Sequence, residues 1–143
     1  MKSILILAVQ LLAIFYIAST GPIVPWGNTI LHVIFLGGLV LVAWAVWVMR
    51  EAAWNVTPDV HPKAKLVTWG PYSLVRHPMY LGILLTLGSM VAYFLRADRL
   101  IAYAVLFTDL LYKISYEEAA LAKRFTAYKS YMTRTKKLIP YII

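Results

Sequence analysis

Apolar residues along the chain fall into four long blocks with short polar breaks between them. The blocks run over 4–18, 29–49, 79–95, and from 100 past 112 into a more polar stretch. Gly21-Pro22 and Pro25 close the first block, and Pro78 opens the third at the first-turn position that suits proline. The second block can cross a hydrocarbon core of roughly 30 Å at about 1.5 Å per residue. Between the second and third blocks, residues 50–77 hold Pro58, Pro62, Gly70 and Pro71, which reads as a loop and not a helix. A loop of that length in a small chain is a functional candidate. After Glu117, the residues Leu121, Phe125, Tyr128 and Tyr131 or Met132 recur at spacings of three and four. That pattern predicts one apolar face of a helix lying on the membrane surface. The expected fold is an all-α integral membrane protein: about four transmembrane helices, a cytoplasmic loop and a C-terminal amphipathic helix.

Composition supports a membrane protein. The chain has 143 residues, 62% of them hydrophobic and 14% charged, whereas a soluble domain is nearer half apolar and about a quarter charged. Its mean hydropathy is +0.72. The length suits one compact unit, 1–143, without internal repeats or low-complexity tracts. The absence of cysteine excludes disulfides, thiolate metal sites and a cysteine nucleophile. The first block also fits a signal peptide, with Lys2 before it and Ala18-Ser19-Thr20 after it. A retained helix is preferred, because removal leaves a very small bundle.

Charge sets the expected orientation. With four spans, 12 of the 14 Lys and Arg residues share one side: Lys2, the 50–77 loop and the tail from Lys113 to Lys137. Arg96 and Arg99 lie on the other side, in a turn with Asp98. The positive-inside rule then places both termini, the loop and the tail in the cytoplasm. The net charge of +8 sits at the ends of apolar segments, which suits an anionic leaflet and not nucleic acid.

Three groups of residues could carry chemistry. Arg76-His77-Pro78 stands at the mouth of the third span, flanked by Tyr72 and Tyr80. A helix N-terminus favours an anion, Arg76 offers a planar fork for a carboxylate or phosphate, and His77 can hydrogen-bond or carry a proton. The alternative is an interfacial anchor, with Arg76 snorkelling to headgroups and the tyrosines in the aromatic belt. Glu117-Glu118 follows the fourth span; either both are solvated, or one faces back to Arg76, where a carboxylate could hold ribose hydroxyls or a cation. Asp109, beside Thr108, is an acid within the fourth span. It is a functional candidate or makes an interhelical bond to Thr86 or His32. His32 by itself reads as structural, and the tryptophans (Trp26, Trp44, Trp47, Trp54) as belt residues, with Trp69 beside the Gly70-Pro71 turn. His32, His61 and His77 show no ligand pairing, so no metal site is expected. There is no phosphate-cradling glycine loop and no nucleophile elbow. Asn55-Val56-Thr57 matches a glycosylation sequon, but Pro58 follows it on the expected cytoplasmic side. Arg76, placed in a polar loop mouth, is expected to be replaceable without loss of the fold.

These residues carry a resemblance. Thr57-Pro58, Leu66-Val67-Thr68-x-Gly70-Pro71-Tyr72, Arg76-His77-Pro78-x-Tyr80-x-Gly82 and Gly88 are similar to the core of the isoprenylcysteine carboxyl methyltransferases and the related phospholipid N-methyltransferases. So is the tail, Glu117-Glu118-x-x-Leu121-x-x-x-Phe125-x-x-Tyr128-x-x-Tyr131, closing with Ile139-Pro140. The similarity covers roughly 55–140. It implies a membrane methyltransferase that uses S-adenosyl-L-methionine. Leu66, Gly70, Tyr72, Arg76, His77, Pro78 and Tyr80 would then bind the cofactor, Glu117 and Glu118 would close its pocket, and Arg76 and Glu118 would be catalytic. The implied acceptor is lipid-like or prenylated and enters from the bilayer, while the cofactor enters from the cytosol. Two positions depart from the family pattern: Ala64 stands where a histidine is common, with His61 nearby, and Thr126 stands where a glycine is usual. A phospholipid amine acceptor, a nicotinamide-dependent steroid-type reductase and a non-enzymatic membrane subunit are the competing readings.

Overall fold

The computed structural model describes residues 2–52 and 65–139. Thr57-Pro58, the Asn55 sequon, Trp54, His61, Ala64 and Pro140 lie outside the described residues. Among those described the protein is all-helical, with no strand. The helices are α1 (Lys2–Ser19), α2 (Thr29–Met49), α3 (Pro78–Tyr93), α4 (Ala97–Arg124) and α5 (Ala127–Arg134). Short 3-10 turns form at Arg50–Ala52 and Gly70–Ser73. The Asn28 side chain accepts from Leu31 N at 3.0 Å and starts α2, a cap that contributes about 1 kcal/mol. Helix α2, 21 residues of nearly unbroken apolar sequence, is long and apolar enough to cross a membrane; Ser3–Ser19 and Pro78–Tyr93 are shorter apolar helices.

Helices α2 and α3 meet backbone to backbone. A Cβ on Gly38 would lie 2.8 Å from the Gly82 carbonyl oxygen, and one on Gly82 would lie 2.7 Å from the Gly38 carbonyl oxygen. Helix α1 packs along α4 and also touches α3. The core joins Ala13 and Ile17 of α1, Phe35 of α2, Leu84, Leu87 and Met90 of α3, and Leu106, Leu110 and Ile114 of α4. A smaller cluster of Ala45, Val48 and Tyr72 ties the end of α2 to the second 3-10 turn.

Arg99 locks the opposite end of the bundle. It is fully buried, and its guanidinium donates to the carbonyls of Ile17 at 3.0 Å, Met90 at 3.0 Å and Phe94 at 2.8 Å. These carbonyls lie at or near the C-terminal ends of α1 and α3, where helix dipoles favour a cation. A Cβ on Gly21 would come 2.7 Å from that guanidinium. Asp98 pairs instead with Arg96, and Tyr16 donates to it at 2.7 Å.

The tail corrects one expectation. Leu121 to Tyr131 do not share one helical face, because the chain breaks at Phe125, which is extended at φ −113° and ψ 113°. Its N–H still closes α4 on the Leu121 carbonyl at 2.8 Å, and Tyr128 N–H then bonds the Phe125 carbonyl at 3.0 Å to open α5. Phe and Thr are weak helix formers, so the break is inexpensive there. It folds Tyr128 and Tyr131 back beneath the start of α3.

Candidate active site

Three segments converge at this end of the bundle: the turn at 70–77, the end of α4, and the chain after α5. Gly70 enters the turn at φ +63°, in left-handed space that suits glycine. A Cβ there would also press on Val48 Cγ2 at 3.1 Å. Tyr131 donates its hydroxyl to the Tyr72 carbonyl. Val75 then pairs with Lys136 in a single parallel bridge. Arg76 N–H donates to the Lys136 carbonyl at 2.8 Å, and His77 N–H to the Lys137 carbonyl at 3.0 Å. Pro78 is buried at the first position of α3.

Arg76 is buried, not exposed in a polar mouth. Its Nε donates to Glu118 Oε1 at 2.7 Å, and both side chains are 7% exposed. Its Nη1 donates to the carbonyls of Met132, at 3.2 Å, and Thr135. The ground for expecting Arg76 to be lost without cost to the fold, a polar loop mouth, therefore does not hold: Arg76 ties the tail to α4. His77 lies between the two glutamates, with Nε2 3.2 Å from Glu118 Oε1 and Nδ1 3.7 Å from Glu117 Oε2. Tyr80 donates to Glu117 Oε1 at 2.7 Å and stacks on His77 with ring centres 5.5 Å apart. Lys137 Nζ stands 4.0 Å from Glu118 Oε2.

The neighbouring glutamates are set apart electrostatically. Burial pushes the Glu118 carboxyl up, but the hydrogen bonds and charges of His77 and Arg76 outweigh it and hold it below the usual range. Burial pushes Glu117 up as well, and His77, the Tyr80 hydroxyl and Lys113 only partly oppose it, so it ends above that range. Burial also raises the Tyr72 and Tyr128 phenols, and pushes Tyr131 up to about 12 against the pull of Arg76. All three remain hydroxyl donors at neutral pH.

The structure thus gathers Arg76, His77, Tyr80, Glu117 and Glu118 in one polar cluster and buries Tyr72 beside it. Leu66 is half-buried in the irregular segment that leads to the turn. Asp109 bonds neither residue suggested for it: the Thr86 hydroxyl donates to the Gly82 carbonyl at 2.9 Å, and His32 stacks on Trp26 at 4.7 Å. Tyr128, Tyr131, Lys113 and Lys137 were not singled out from sequence as site residues. The signal for Lys113 was present, since Leu106, Leu110, Lys113, Ile114 and Glu118 fall at helical spacings and so share the buried face of α4, with Glu117 at its edge.

The hydroxyls of Tyr72 and Tyr128 are buried and have no hydrogen-bond partner. Orphaned buried donors of this kind call for a ligand or a water. Two carboxylates, a guanidinium and an imidazole stand beside them, a donor and acceptor set that suits a polar, charged small molecule. No group of His, Asp and Glu among the described residues could hold a metal ion.

Among the described residues the fold is all-helical, with one helix long and apolar enough to cross a membrane and a buried, charge-paired cluster at one end of its bundle, an architecture that suits a helical membrane protein. A family model described as phospholipid methyltransferase matches residues 29–128, and the chain belongs to that family. The match runs from α2 into α5 and leaves α1 outside. Comparisons with curated proteins and with solved structures gave no match.

Proposed function

We propose that the protein is an S-adenosylmethionine-dependent methyltransferase with a site on the cytoplasmic face of four membrane helices: α1, α2, α3 and the apolar part of α4. The family supports methyl transfer. The observation that carries the reading is the buried Arg76–Glu118 pair with His77 set between two glutamates and two unpartnered tyrosine hydroxyls beside it. S-adenosylmethionine, when bound, supplies an electrophilic methyl group on a positively charged sulfur.

The protein's own groups divide the work of holding it. Glu118, kept ionised by Arg76 and His77, offers a fixed negative charge to a cationic donor. Glu117 and the hydroxyls of Tyr72 and Tyr128 suit ribose hydroxyls. Arg76 Nη2 makes no hydrogen bond among the described residues and can take a carboxylate while Nε and Nη1 hold the pocket shut. Such preorganised charges act without reorganising during the reaction. The acceptor is lipid-like, reaching the site from the bilayer: a prenylated carboxylate, or the phospholipid amine that the family name suggests.

Calorimetry on detergent-purified protein tests this, with S-adenosylhomocysteine as ligand and NADPH as control. Saturable binding of the first alone is expected, and labelled methyl donor then sorts prenylated from phospholipid acceptors. NADPH binding alone moves the protein to the reductase reading, and binding of neither by folded protein removes the enzymatic one.

A further inference from the structure

The polar contacts of the site continue past the glutamates toward the interior. Tyr80, which donates to Glu117, lies with its ring centre 5.2 Å from Lys113 Nζ, within cation–π range. Lys113 is 3% exposed and stands one turn before Glu117 on α4. Its Nζ donates to Gln10 Oε1 at 3.1 Å. Gln10 in turn occupies the buried stripe of α1 formed by Ile6, Ala13 and Ile17. A glutamine on such a stripe and an ammonium so deep are both costly unless paired. Here each pairs with the other; burial still disfavours the ammonium, and the charges of Glu117 and Asp109 on α4 offset that only in part.

We propose that Lys113 and Gln10 are positioning residues of the site: Gln10 pins the Lys113 ammonium against the Tyr80 ring, and the ammonium keeps the Tyr80 hydroxyl on Glu117. Helix α1, outside the matched segment 29–128, is then part of the active site and not a separate anchor. The proposal rests on the methyltransferase reading only for what Glu117 then holds. Glu118 has Arg76 and His77, whereas Glu117 has one neutral hydroxyl and a ring nitrogen at 3.7 Å. Its remaining balance falls to Lys113. The groups that act on Glu117 are His77, Tyr80, Lys113 and Glu118, with the Tyr72 and Tyr128 phenols farther off.

The test uses the full chain in lipid nanodiscs. The carboxyl infrared band lost in Glu117→Gln identifies Glu117, and its titration is followed. Lys113→Met moves the midpoint to higher pH, Gln10→Met moves it the same way by less, and Lys113→Arg returns it toward wild type. A midpoint unmoved by Lys113→Met overturns the proposal, whether or not the protein is a methyltransferase. S-adenosylhomocysteine affinity is the second readout. Lys113→Met weakens it about tenfold, Gln10→Met weakens it less, and the double variant weakens it no further than Lys113→Met alone. Losses that simply add, or an equal loss in Ile6→Ala, which cuts only α1 packing, overturn it. A wild-type protein that binds no S-adenosylhomocysteine, with the midpoint still moved by Lys113→Met, removes the methyltransferase reading and upholds the positioning role.

Discussion

Arg76 serves the fold and the site through the same contacts. Removing it leaves the Glu118 carboxylate buried with less compensation and releases the carbonyls of Met132 and Thr135. Breaking a buried pair in this way costs about 3–5 kcal/mol. Arg76→Ala is therefore expected to lower unfolding stability in detergent by that amount and to lose donor binding with it. Wild-type stability in the variant would refute the clamp. The glutamates predict opposite signs. Glu118 sits below its ordinary value, so its stabilisation is complete above the unfolded value of about 4.3 and is lost as pH falls through its lower folded value. Glu117 sits above, so its contribution is complete below that unfolded value and is lost as pH rises through its raised folded value. At neutral pH, Glu118→Gln should lose roughly 1.5–3 kcal/mol, and Glu117→Gln should be neutral or gain up to about 1 kcal/mol. Chemical unfolding at pH 7 decides, and matching losses would end the assignment of separate roles. Sequence reached these residues because charged types at a span mouth are few. It missed Tyr128 and Tyr131 because an aromatic on an apolar face looks the same whether its hydroxyl meets solvent or a pocket.

Elements were legible where one local rule sufficed. Proline marked the start of α3, and an apolar run of membrane length marked α2. The break at Phe125 was not legible, because the three-and-four spacing continues through it and only the tail's return to Val75 and Arg76 turns the chain. The glycines on α2 show the same division between local and tertiary information. Gly37 and Gly38 are neighbours in sequence, yet a Cβ on Gly37 meets nothing within 4 Å while one on Gly38 collides with the Thr86 hydroxyl oxygen and comes 2.8 Å from the Thr86 backbone nitrogen. Gly38→Ala and Gly82→Ala are expected to force α2 and α3 apart at a cost of about 1–3 kcal/mol. Gly37→Ala should stabilise slightly, by up to about 1 kcal/mol, through helix propensity. Thermal unfolding of the three variants side by side checks this, and equal effects at 37 and 38 would mean that the helices are not in contact there. Because the end of α2 packs on Tyr72 through Ala45 and Val48, the two destabilising variants should also weaken S-adenosylhomocysteine binding.

At the scale of the whole molecule the two ends of the bundle are built differently, and the difference bears on orientation. One end holds Arg99 on helix-end carbonyls, with Arg96 and Asp98 paired outside it. The other holds the polar site and the basic tail. Among the described Lys and Arg residues, Arg96 and Arg99 alone fall at the first end. Arg99 is held by carbonyls inside the protein, so it offers little charge for the membrane to sense, and Arg96 is offset by Asp98. On the proposed orientation, the charge asymmetry is thus sharper than a residue count suggests. The absence of cysteine makes this directly measurable, since any single cysteine becomes the sole labelling site. Lys136→Cys, on the tail beside Val75, is exposed, and so is Arg96→Cys at the far end. In oriented membranes a charged maleimide should label Lys136→Cys only from the cytoplasmic side and Arg96→Cys only from the other. Labelling of both from one face would mean that the bundle does not span the membrane as proposed. Labelling with the sides exchanged would put the site outside the cytosol, away from its proposed methyl donor.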